Sequence, residues 1–480
     1  MSKTGTEKFT TVLDYVSPSI EDAYLQTTDI SASIFTSHPK KFTNMSNQNV
    51  EVIFRGKTEY GGYAAVTIPS NGDHISWITL QIQVGSWWYD AILYNLEREF
   101  YQYMDTSGIW YWANGLGAAL IERVWLEADG YEFDSFPGEW IDVWSRLFLH
   151  PEKSDAIRRD GLGCLPTAEL LTVRPADYYP TESGRLLIPL PFWCLRGGGT
   201  GAIPICAIKE SCLSLHIKFR PFAECVRIQS GTRASCTDTP LSKSFVLKDT
   251  RVPFNNINTF TTDTVAPLIT ACTAMINYGY VDESERLTMM TKPFTQLIQR
   301  VATFRFEAPL RHAVAVSADS VIVNLPLEAS HTVDEIVWIL RRTVVKNNND
   351  WFNYSASGES TPDANRTPLL RSAIIKVSGA DWISGDESYF RSSYAGQHSG
   401  ITAGYNSFIY HYTFGCSGGR PEDVQPGAAV NASVAPISLV LNVRQPGAVT
   451  EEDRGWEVIV FVLYRNWLRY QRGLVAPVFE

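Results

Sequence analysis

The sequence predicts an all-β protein with two domains, and three observations support this prediction. Several segments alternate apolar and polar residues with a period of two, which is typical of strands with one buried face. Such segments occur from Ile78 to Val443, whereas only two segments have a helical period. The chain also has 480 residues, which exceeds the roughly 250 to 300 residues at which one hydrophobic core stops growing.

The clearest alternating strands of the first half lie at 78–84 and 213–219, where every second residue is apolar. The segment 186–192 has the same period, but it contains Pro189 and Pro191. Each proline removes one backbone donor from a sheet, so this segment is predicted to be an edge strand or the end of a strand.

The second half continues the same pattern with alternating segments at 408–414 and 439–443. The last predicted strand is the uninterrupted apolar run Val458–Tyr464. At seven residues, this run is far shorter than the roughly 20 residues that a membrane-spanning helix needs.

Two helices are predicted. In the segment Gly138–Phe148, the apolar residues fall at i, i+1, i+4, i+7 and i+8, which places them on one helical face. In the second helix, Asp282 and Glu285 have the spacing of an N-cap residue and its N3 partner, and Pro293 ends the helix.

A polar, turn-rich stretch at 227–253 is the predicted linker, because it separates two regions that each contain several strands and one helix. The second region also carries a long Asn-, Ser- and Gly-rich stretch at 347–404, which is predicted to form exposed loops. All-β domains of this size with unequal loops at one end fit the eight-stranded jelly roll best.

Charge and cysteine usage exclude several classes of protein. Lys and Arg total 41 against 51 Asp and Glu, and no basic tract is present, which argues against tight phosphate or sequence-specific nucleic-acid binding. The polar N-terminal residues predict no secretory signal. Eight cysteines without a C-x-x-C pair indicate reduced thiols in a protein made inside the cell.

The sequence predicts no catalytic, cofactor-binding or metal-binding residue. Ser417 lies in a G-x-S-x-G pattern, but Arg420-Pro421 follows where a nucleophile elbow needs a helix. The glycine run 197–201 is followed by Pro204 and is predicted to be a turn, not a phosphate loop. The eight histidines are scattered, so a zinc site is not predicted.

Five carboxylates lie close together in sequence, and a glycosidase would need two of them across a cleft. They flank a turn and the start of a helix, where the helix dipole favours negative charge, so a structural role is predicted. The five residues are Asp129, Glu132, Asp134, Glu139 and Asp142.

Fourteen tryptophans suggest either a sugar-binding surface or a large core. Five are predicted to be in the core: Trp77, Trp125, Trp140, Trp144 and Trp193. Four in the Trp-rich segment 85–112 are predicted to lie at a subunit contact: Trp87, Trp88, Trp110 and Trp112. Two N-x-S/T sites, Asn353 and Asn365, fall in the predicted exposed loops and are candidate glycosylation sites.

Seven blocks, in collinear order, resemble the double jelly-roll major capsid proteins of the nucleocytoplasmic large DNA viruses. They include the sequences NGDHISWITLQIQV and the block ending GEWIDVWSRL. The blocks are Tyr24–Ser46, Asn71–Val84, Gly115–Leu147, Leu186–Phe222, Ile276–Leu287, Val333–Arg342 and Arg465–Phe479. The Trp-rich segment 85–112 has no counterpart in this resemblance.

The resemblance implies two consecutive eight-stranded jelly rolls, at 28–226 and 254–480, preceded by an N-terminal arm, 1–27, on the inner side of a shell. It also implies a non-enzymatic subunit without cofactors that forms homotrimers, and these tile the outer capsid of a virion. The partners implied are neighbouring capsomers, minor capsid proteins and an internal membrane. Two alternatives stay open: a minor capsid paralogue with the same fold, and a β-sandwich carbohydrate-binding protein.

Overall fold

A computed structural model describes twelve stretches of the chain. They are residues 44–85, 109–164, 184–197, 201–230, 237–239, 269–307, 320–347, 349–356, 366–394, 407–415, 429–444 and 455–479. The chain divides into two compact units, Met1–Asn44 and Met45–Glu480. All strands and helices described below belong to the second unit. The predicted N-terminal arm, 1–27, lies outside the described residues.

Twenty-two strands dominate the described residues, as the all-β prediction requires. The first twelve are β1 (Ser46–Ile53), β2 (Arg55–Gly56), β3 (Tyr63–Thr67), β4 (His74–Val84), β5 (Ile109–Trp112), β6 (Ile121–Ala128), β7 (Tyr131–Phe136), β8 (Arg185–Pro189), β9 (Leu213–Phe219), β10 (Val226–Ser230), β11 (Thr237–Thr239) and β12 (Ile269–Tyr280). The other ten are β13 (Phe294–Phe306), β14 (Ser320–Leu327), β15 (Thr332–Arg342), β16 (Leu370–Val377), β17 (Ala380–Asp386), β18 (Ile409–Thr413), β19 (Val430–Asn431), β20 (Ile437–Arg444), β21 (Trp456–Gln471) and β22 (Leu474–Pro477).

The helices in the described part of the chain are few and short. They are α1 (Leu116–Ala119), α2 (Gly138–Leu147), α3 (Pro151–Ala156), α4 (Trp193–Arg196), α5 (Glu283–Thr291) and α6 (Thr343–Asn347). Both predicted helices are present: α2 begins at Gly138 as expected, and α5 follows Asp282 and ends two residues before Pro293. Proline cannot continue a helix, which explains why α5 ends at Thr291.

The two halves of the chain have the same topology. In the first half one sheet has the order β1-β12-β4-β8, and the other has the order β2-β3-β9-β6-β7. In the second half the corresponding orders are β13-β21-β15-β18 and β14-β20-β16-β17. If the two-residue strand β2 and the strands outside these paths (β5, β10, β11, β19 and β22) are left out, each half has eight strands and pairs its first with its last and its second with its seventh, which is the connectivity of a jelly roll. The predicted double jelly roll is therefore confirmed.

The core lies between the two sheets of each jelly roll. The alternation predicted at 78–84 and 213–219 is observed: Ile78, Leu80 and Ile82 in β4, and Leu215 and Ile217 in β9, are fully buried. Their polar neighbours point to the opposite faces of the same sheets, because successive side chains of a strand alternate.

Strand β12 differs from the predicted domain division. It follows the predicted linker, 227–253, and would belong to the second domain, 254–480, yet it pairs with β1 from Ser46 to Ile53 and with β4 from His74 to Val84. The linker prediction also covers β11 and most of β10, and the rest of 227–253 lies outside the described residues. Periodicity identifies a strand but does not reveal which sheet it joins.

The stretch 347–404, predicted as loops, contains two strands of the second jelly roll. Strands β16 and β17 form a hairpin, and Ser378 and Gly379 at its turn both have positive φ, as a type I′ turn requires. A short helical segment follows at 387–394. The loop prediction is therefore wrong for 370–394, because polar residues on exposed strand faces resemble loop composition.

Candidate assembly interface

Three strands in one sheet of the second jelly roll are buried on both faces. All five residues of β18 are buried, as are nine consecutive residues of β15 and the first eight of β21. In the first jelly roll, by contrast, strands β4 and β8 alternate between buried and more exposed residues. A sheet that is buried on both faces needs a layer on each side.

Helix α2 of the first jelly roll provides part of the second layer. Nine of its ten residues are buried. The Trp140 ring lies 5.0 Å from the Phe461 ring of β21, and the Phe148 ring lies 6.1 Å from His411 of β18. The helix begins at Gly138, where a Cβ atom would lie only 2.0 Å from the carbonyl oxygen of Ala118. Glycine is therefore required for the helix to start this close to α1.

A buried ion-pair network joins the two jelly rolls at the start of α2. Glu139 has no exposed surface, and its carboxylate lies 3.0 Å from Arg220 of the first jelly roll. It also lies 3.1 Å from Arg305 of β13 and 3.4 Å from Arg341 of β15. Arg341 in turn donates from Nε to Glu457 of β21 at 2.6 Å. Three arginines from both halves therefore meet at one carboxylate.

The charges of this network are compensated within the chain. Burial by itself raises the pKa of Glu139, but Arg220, Arg305 and Arg341 outweigh it and hold the pKa well below its usual range. Burial likewise raises the pKa of Glu457, but Arg341 together with other partners lowers it to about 2. Both carboxylates are therefore ionised at neutral pH, and each has a guanidinium partner that is also desolvated.

Two further buried carboxylates strengthen the same interface. Asp134 of β7 is 2.9 Å from Arg196 and accepts the backbone N–H of Val301 in β13 at 3.2 Å. Asp142 of α2 accepts the Tyr354 hydroxyl at 3.1 Å. The edge strand β7 is thus held beside β13, and helix α2 is held against the segment that follows β15.

A cleft of about 870 Å³ opens between the two jelly rolls beside this network. Arg123, Arg305 and Lys346 line it, but each already contacts a carboxylate of the chain. Arg123 Nη2, for example, lies 2.7 and 2.6 Å from the two carboxylate oxygens of Glu132. Arg220 also lines the cleft and pairs with Glu139, and Arg300 donates to the backbone carbonyl of Glu132 at 3.0 Å. Because these cations already have partners within the chain, the cleft gives no support to an anion-binding site.

The five carboxylates of the sequence cluster have structural positions. Asp129 lies in the turn between β6 and β7 with a positive φ, and Glu132 pairs with Arg123. Asp134, Glu139 and Asp142 are completely buried with arginine partners. The helix dipole, on which the prediction rested, acts only on Glu139 in the first turn of α2. The arginine partners of Asp134 and Glu139 are at least 62 residues away in sequence, whereas Asp142 pairs with Arg146 within the same helix.

The tryptophan predictions are partly confirmed. Trp140, Trp144 and Trp193 are buried, whereas Trp77 is 37% exposed on the outer face of β4. The prediction for Trp77 is wrong because the alternation that buries Ile78 places its neighbour on the opposite face. Trp125 also lies on an outer face, where its ring stacks on His216 at 5.1 Å and it is only half-buried.

In the Trp-rich segment 85–112, the side chain of one tryptophan is described. Trp112 is fully buried and packs against Tyr60 and Phe222, so its predicted place at a subunit contact is wrong. Trp87 and Trp88 lie outside the described residues, as does the side chain of Trp110. Burial of Trp112 follows from the pairing of β5 with β10, which the sequence did not indicate.

The candidate glycosylation residue Asn353 is only 2% exposed. Its side chain donates to Asp350 at 2.9 Å and accepts from the Ser355 hydroxyl at 2.6 Å. The prediction of an exposed position is wrong for this residue. An asparagine is common in turns because its side chain hydrogen-bonds neighbouring polar groups, and here it does so while buried. Asn365 lies outside the described residues.

We expect Asn353→Ala to lower the free energy of unfolding by about 1 to 3 kcal/mol, because Asp350 and Ser355 would lose a buried partner. Denaturant unfolding followed by tryptophan fluorescence measures the change. A matched Asn324→Ala substitution on the exposed face of β14 should leave the unfolding midpoint unchanged. An Asn353 variant as stable as the unmodified protein would contradict the structural role.

Other sequence candidates give no site in the described part of the chain. Ser417 and residues 198–200 of the glycine run lie outside it. Within it, no group of His, Cys, Asp and Glu could hold a metal ion. None of the described helices has both the length and the apolar character that crossing a bilayer requires. Five of the six described cysteines are buried, Cys225 included, but Cys212 is exposed although it precedes a core strand.

Comparisons with known proteins point in one direction. The model of the family described as "Major capsid protein N-terminus" matches residues 33–280, which is 248 of the 480 residues. The chain is 22% identical over 322 residues to the "Major capsid protein" of Phaeocystis pouchetii virus, covering 63% of this chain and 53% of that protein. It is 27% identical over 221 residues to "Probable capsid protein 4" of Acanthamoeba polyphaga mimivirus, covering 45% of this chain and 39% of that protein.

Solved structures share the fold over a longer span. The structure described as "PBCV-1 virus capsid, quasi-atomic model" has a TM-score of 0.65 at 17% identity, covering 93% of this chain and all of that one. The "Faustovirus major capsid protein" has a TM-score of 0.63 at 10% identity, covering 95% of each chain. The chain spans about half or less of the length of the curated relatives above. Since the family model matches more than half of its residues, the chain belongs to the major capsid protein family.

Proposed function

We propose that this chain is a structural subunit of the outer shell of a large icosahedral double-stranded DNA virus. It acts without catalysis as the major capsid protein and associates into homotrimers. Membership of the capsid family and the double jelly-roll fold support the role. The compensated charges around Glu139 also fit a structural role, because this carboxylate contacts arginines of both jelly rolls.

The uncovered sheet of the first jelly roll is the observation that carries the proposal of a trimer. Its counterpart in the second jelly roll is covered within the chain, whereas Ile53 and Leu187 on its outer face remain 74% and 38% exposed among the described residues. Such a surface is stabilised when another subunit covers it. If the surfaces that meet are different, rotation by one third of a turn closes a ring of three.

The ring would contain six jelly rolls of one topology and would form a pseudo-hexagonal block that tiles a flat facet. Neighbouring capsomers, minor capsid proteins and an internal membrane are the further partners of this proposal, with the arm 1–27 on the inner side. We also propose that the boundary between the two jelly rolls lies between β12 and β13, because β12 pairs with β1 and β4.

The solution mass of the purified protein tests this proposal. One chain has a mass of 53.8 kDa, so a trimer has three times this mass. We expect light scattering on a sizing column to give the trimer mass, and electron microscopy to show hexagonal outlines. A folded monomer over a wide concentration range would contradict the trimer and would favour a minor capsid subunit or a carbohydrate-binding protein.

A further inference from the structure

Each jelly roll contains an equivalent hairpin, but the two hairpins have different surroundings. In the first, β6 and β7 are joined by Asp129 and Gly130, both with positive φ, and β7 leads into helix α2. In the second, β16 and β17 are joined by Ser378 and Gly379, again both with positive φ, and β17 leads into the helical segment 387–394. Strand β17 and residues 387–394, named here the second-domain edge, are therefore the counterpart of β7 and α2.

The first of these two edges is buried and the second is exposed. In β7 and α2, Asp134, Glu139 and Trp140 are fully buried, because this edge packs on the sheet β13-β21-β15-β18. In the second-domain edge, five of the seven residues of β17 are exposed, and Trp382 is 56% exposed. In the segment 387–394, only two residues are buried, and Ser392 is exposed.

The sheet that corresponds to the covered one is β1-β12-β4-β8, and its outer face lacks a cover among the described residues. Strand register puts Ile53, Thr273, Gln81 and Leu187 in one row across this face. Trp77 lies on the same face and is 37% exposed. Two charged side chains share the face and are bound within it: Glu51 accepts a hydrogen bond from Thr273 at 2.7 Å, and Arg185 donates one to Gln81 at 2.6 Å. The rest of the row is aliphatic or uncharged, as in the core of a subunit interface, where charged residues are depleted.

Each chain thus has one exposed edge, in the second jelly roll, and one exposed sheet face, in the first. The counterparts of these two surfaces, the edge formed by β7 and α2 and the sheet β13-β21-β15-β18, already contact each other within the chain. We propose that the second-domain edge of one copy covers the outer face of β1-β12-β4-β8 of a second copy, in the position that β7 and α2 hold on the sheet β13-β21-β15-β18. This inference rests on the proposed trimer and names the surfaces that form it. The contact is head-to-tail, because the two surfaces differ.

The first test places a charge in the middle of the proposed contact. Ile53→Arg should reduce the mass of the protein from that of the trimer to the 53.8 kDa of one chain at equal concentration, because the guanidinium would be desolvated in the contact and Glu51, the carboxylate on the same face, already accepts a hydrogen bond from Thr273. Ile53 is 74% exposed in the single chain, so the substitution leaves the core intact. Unchanged circular dichroism of the separated variant checks that it folds.

The matched control is Ile322→Arg. Ile322 is 72% exposed on an outer strand face, but it lies on β14 in the other sheet of the second jelly roll. This variant should keep the trimer mass. A trimer that withstands Ile53→Arg would overturn the inference, leave the proposed trimer standing, and assign the face to another occupant, such as a minor capsid protein. A wild-type monomer would overturn both.

A mixing experiment tests the head-to-tail arrangement. The variant Ser388→Arg with Ser392→Arg blocks the second-domain edge, since both serines are exposed and lie four residues apart. Each blocked variant alone should be a monomer. Mixed with Ile53→Arg it should give a dimer, with twice the 53.8 kDa of one chain, because one intact edge meets one intact face and no further contact remains. A mixture that stays monomeric while wild type forms trimers would contradict the assignment.

Discussion

Replacing Glu139 with glutamine is expected to lower the free energy of unfolding by about 3 to 5 kcal/mol, the usual effect of breaking a buried ion pair by removing one partner. The substitution preserves the size of the side chain but leaves Arg220, Arg305 and Arg341 without the carboxylate they share. Arg341 has no exposed surface, so water cannot replace the lost partner. Equilibrium unfolding in denaturant at fixed protein concentration measures the change.

The position of the network between the jelly rolls adds a second expectation. Glu139 belongs to the first jelly roll, and Arg305 and Arg341 belong to the second. Loss of the carboxylate should therefore weaken the coupling between the two, and circular dichroism and tryptophan fluorescence should no longer report one coincident transition. The same loss of stability with a single coincident transition would show that the network does not couple the jelly rolls.

Glu132→Gln is the matched control. Glu132 also contacts an arginine, Arg123, at 2.6 Å, but the two side chains are 35% and 48% exposed. Exposed ion pairs contribute about 0 to 1 kcal/mol, because water compensates both charges when they separate. A control variant that is destabilised as much as Glu139→Gln would mean that burial is not the cause.

Much of the fold could be predicted from the sequence, because the signals are local. The period of two located β4, β9 and β20, and the helical period located α2 to within one residue of its C-terminal end. The domain boundary could not be found in this way. Strand β12 begins at Ile269, well after β11 ends at Thr239, and it pairs with β1 and β4. Only the order of strands in the sheet therefore reveals where the first jelly roll ends.

The interface had one sequence signal that could have revealed it. The run Val458–Tyr464 in β21 has no polar residue at every second position, unlike 78–84 in β4. Strands β21 and β4 lie in corresponding sheets of the two jelly rolls. The contrast between them therefore indicates that β21 is buried on two faces and β4 on one. The partners of Glu139 gave no such signal, because Arg220, Arg305 and Arg341 are between 81 and 202 residues away in sequence.

The second large effect is expected from acid, and two carboxylates on neighbouring strands should act in opposite directions. Burial raises the pKa of Asp334 in β15 to about 6, although Arg465 opposes the shift. A folded-state pKa above the unfolded value of 3.8 means that the folded chain binds this proton more tightly. Stability should therefore rise by about 2 kcal/mol as the pH falls from 7 to about 4.5 and be lost again as the pH rises through 6.

Below that range Glu457 and Glu139 should reverse the trend. Arg341 lowers the pKa of Glu457 from 4.5 to about 2, and Arg220, Arg305 and Arg341 lower the pKa of Glu139 well below its usual range. Their contribution is present above pH 4.5 and lost as the pH falls towards 2, by about 3 kcal/mol for Glu457 alone. For these groups together, the free energy of unfolding should pass through a maximum at about pH 4.5 to 5.

Substitution separates the two effects in urea unfolding measured from pH 3 to pH 7. Asp334→Asn should remove the rise between pH 7 and 4.5 while leaving the loss at lower pH, because Glu457 and Glu139 keep their arginines. Glu139→Gln should reduce the loss at low pH while leaving the rise. If Asp334→Asn leaves the whole profile unchanged, burial does not raise the pKa of that carboxyl. If Glu139→Gln leaves the loss of stability at low pH unchanged, protonation of Glu139 does not contribute to that loss. The contact between the two jelly rolls would then not depend on pH.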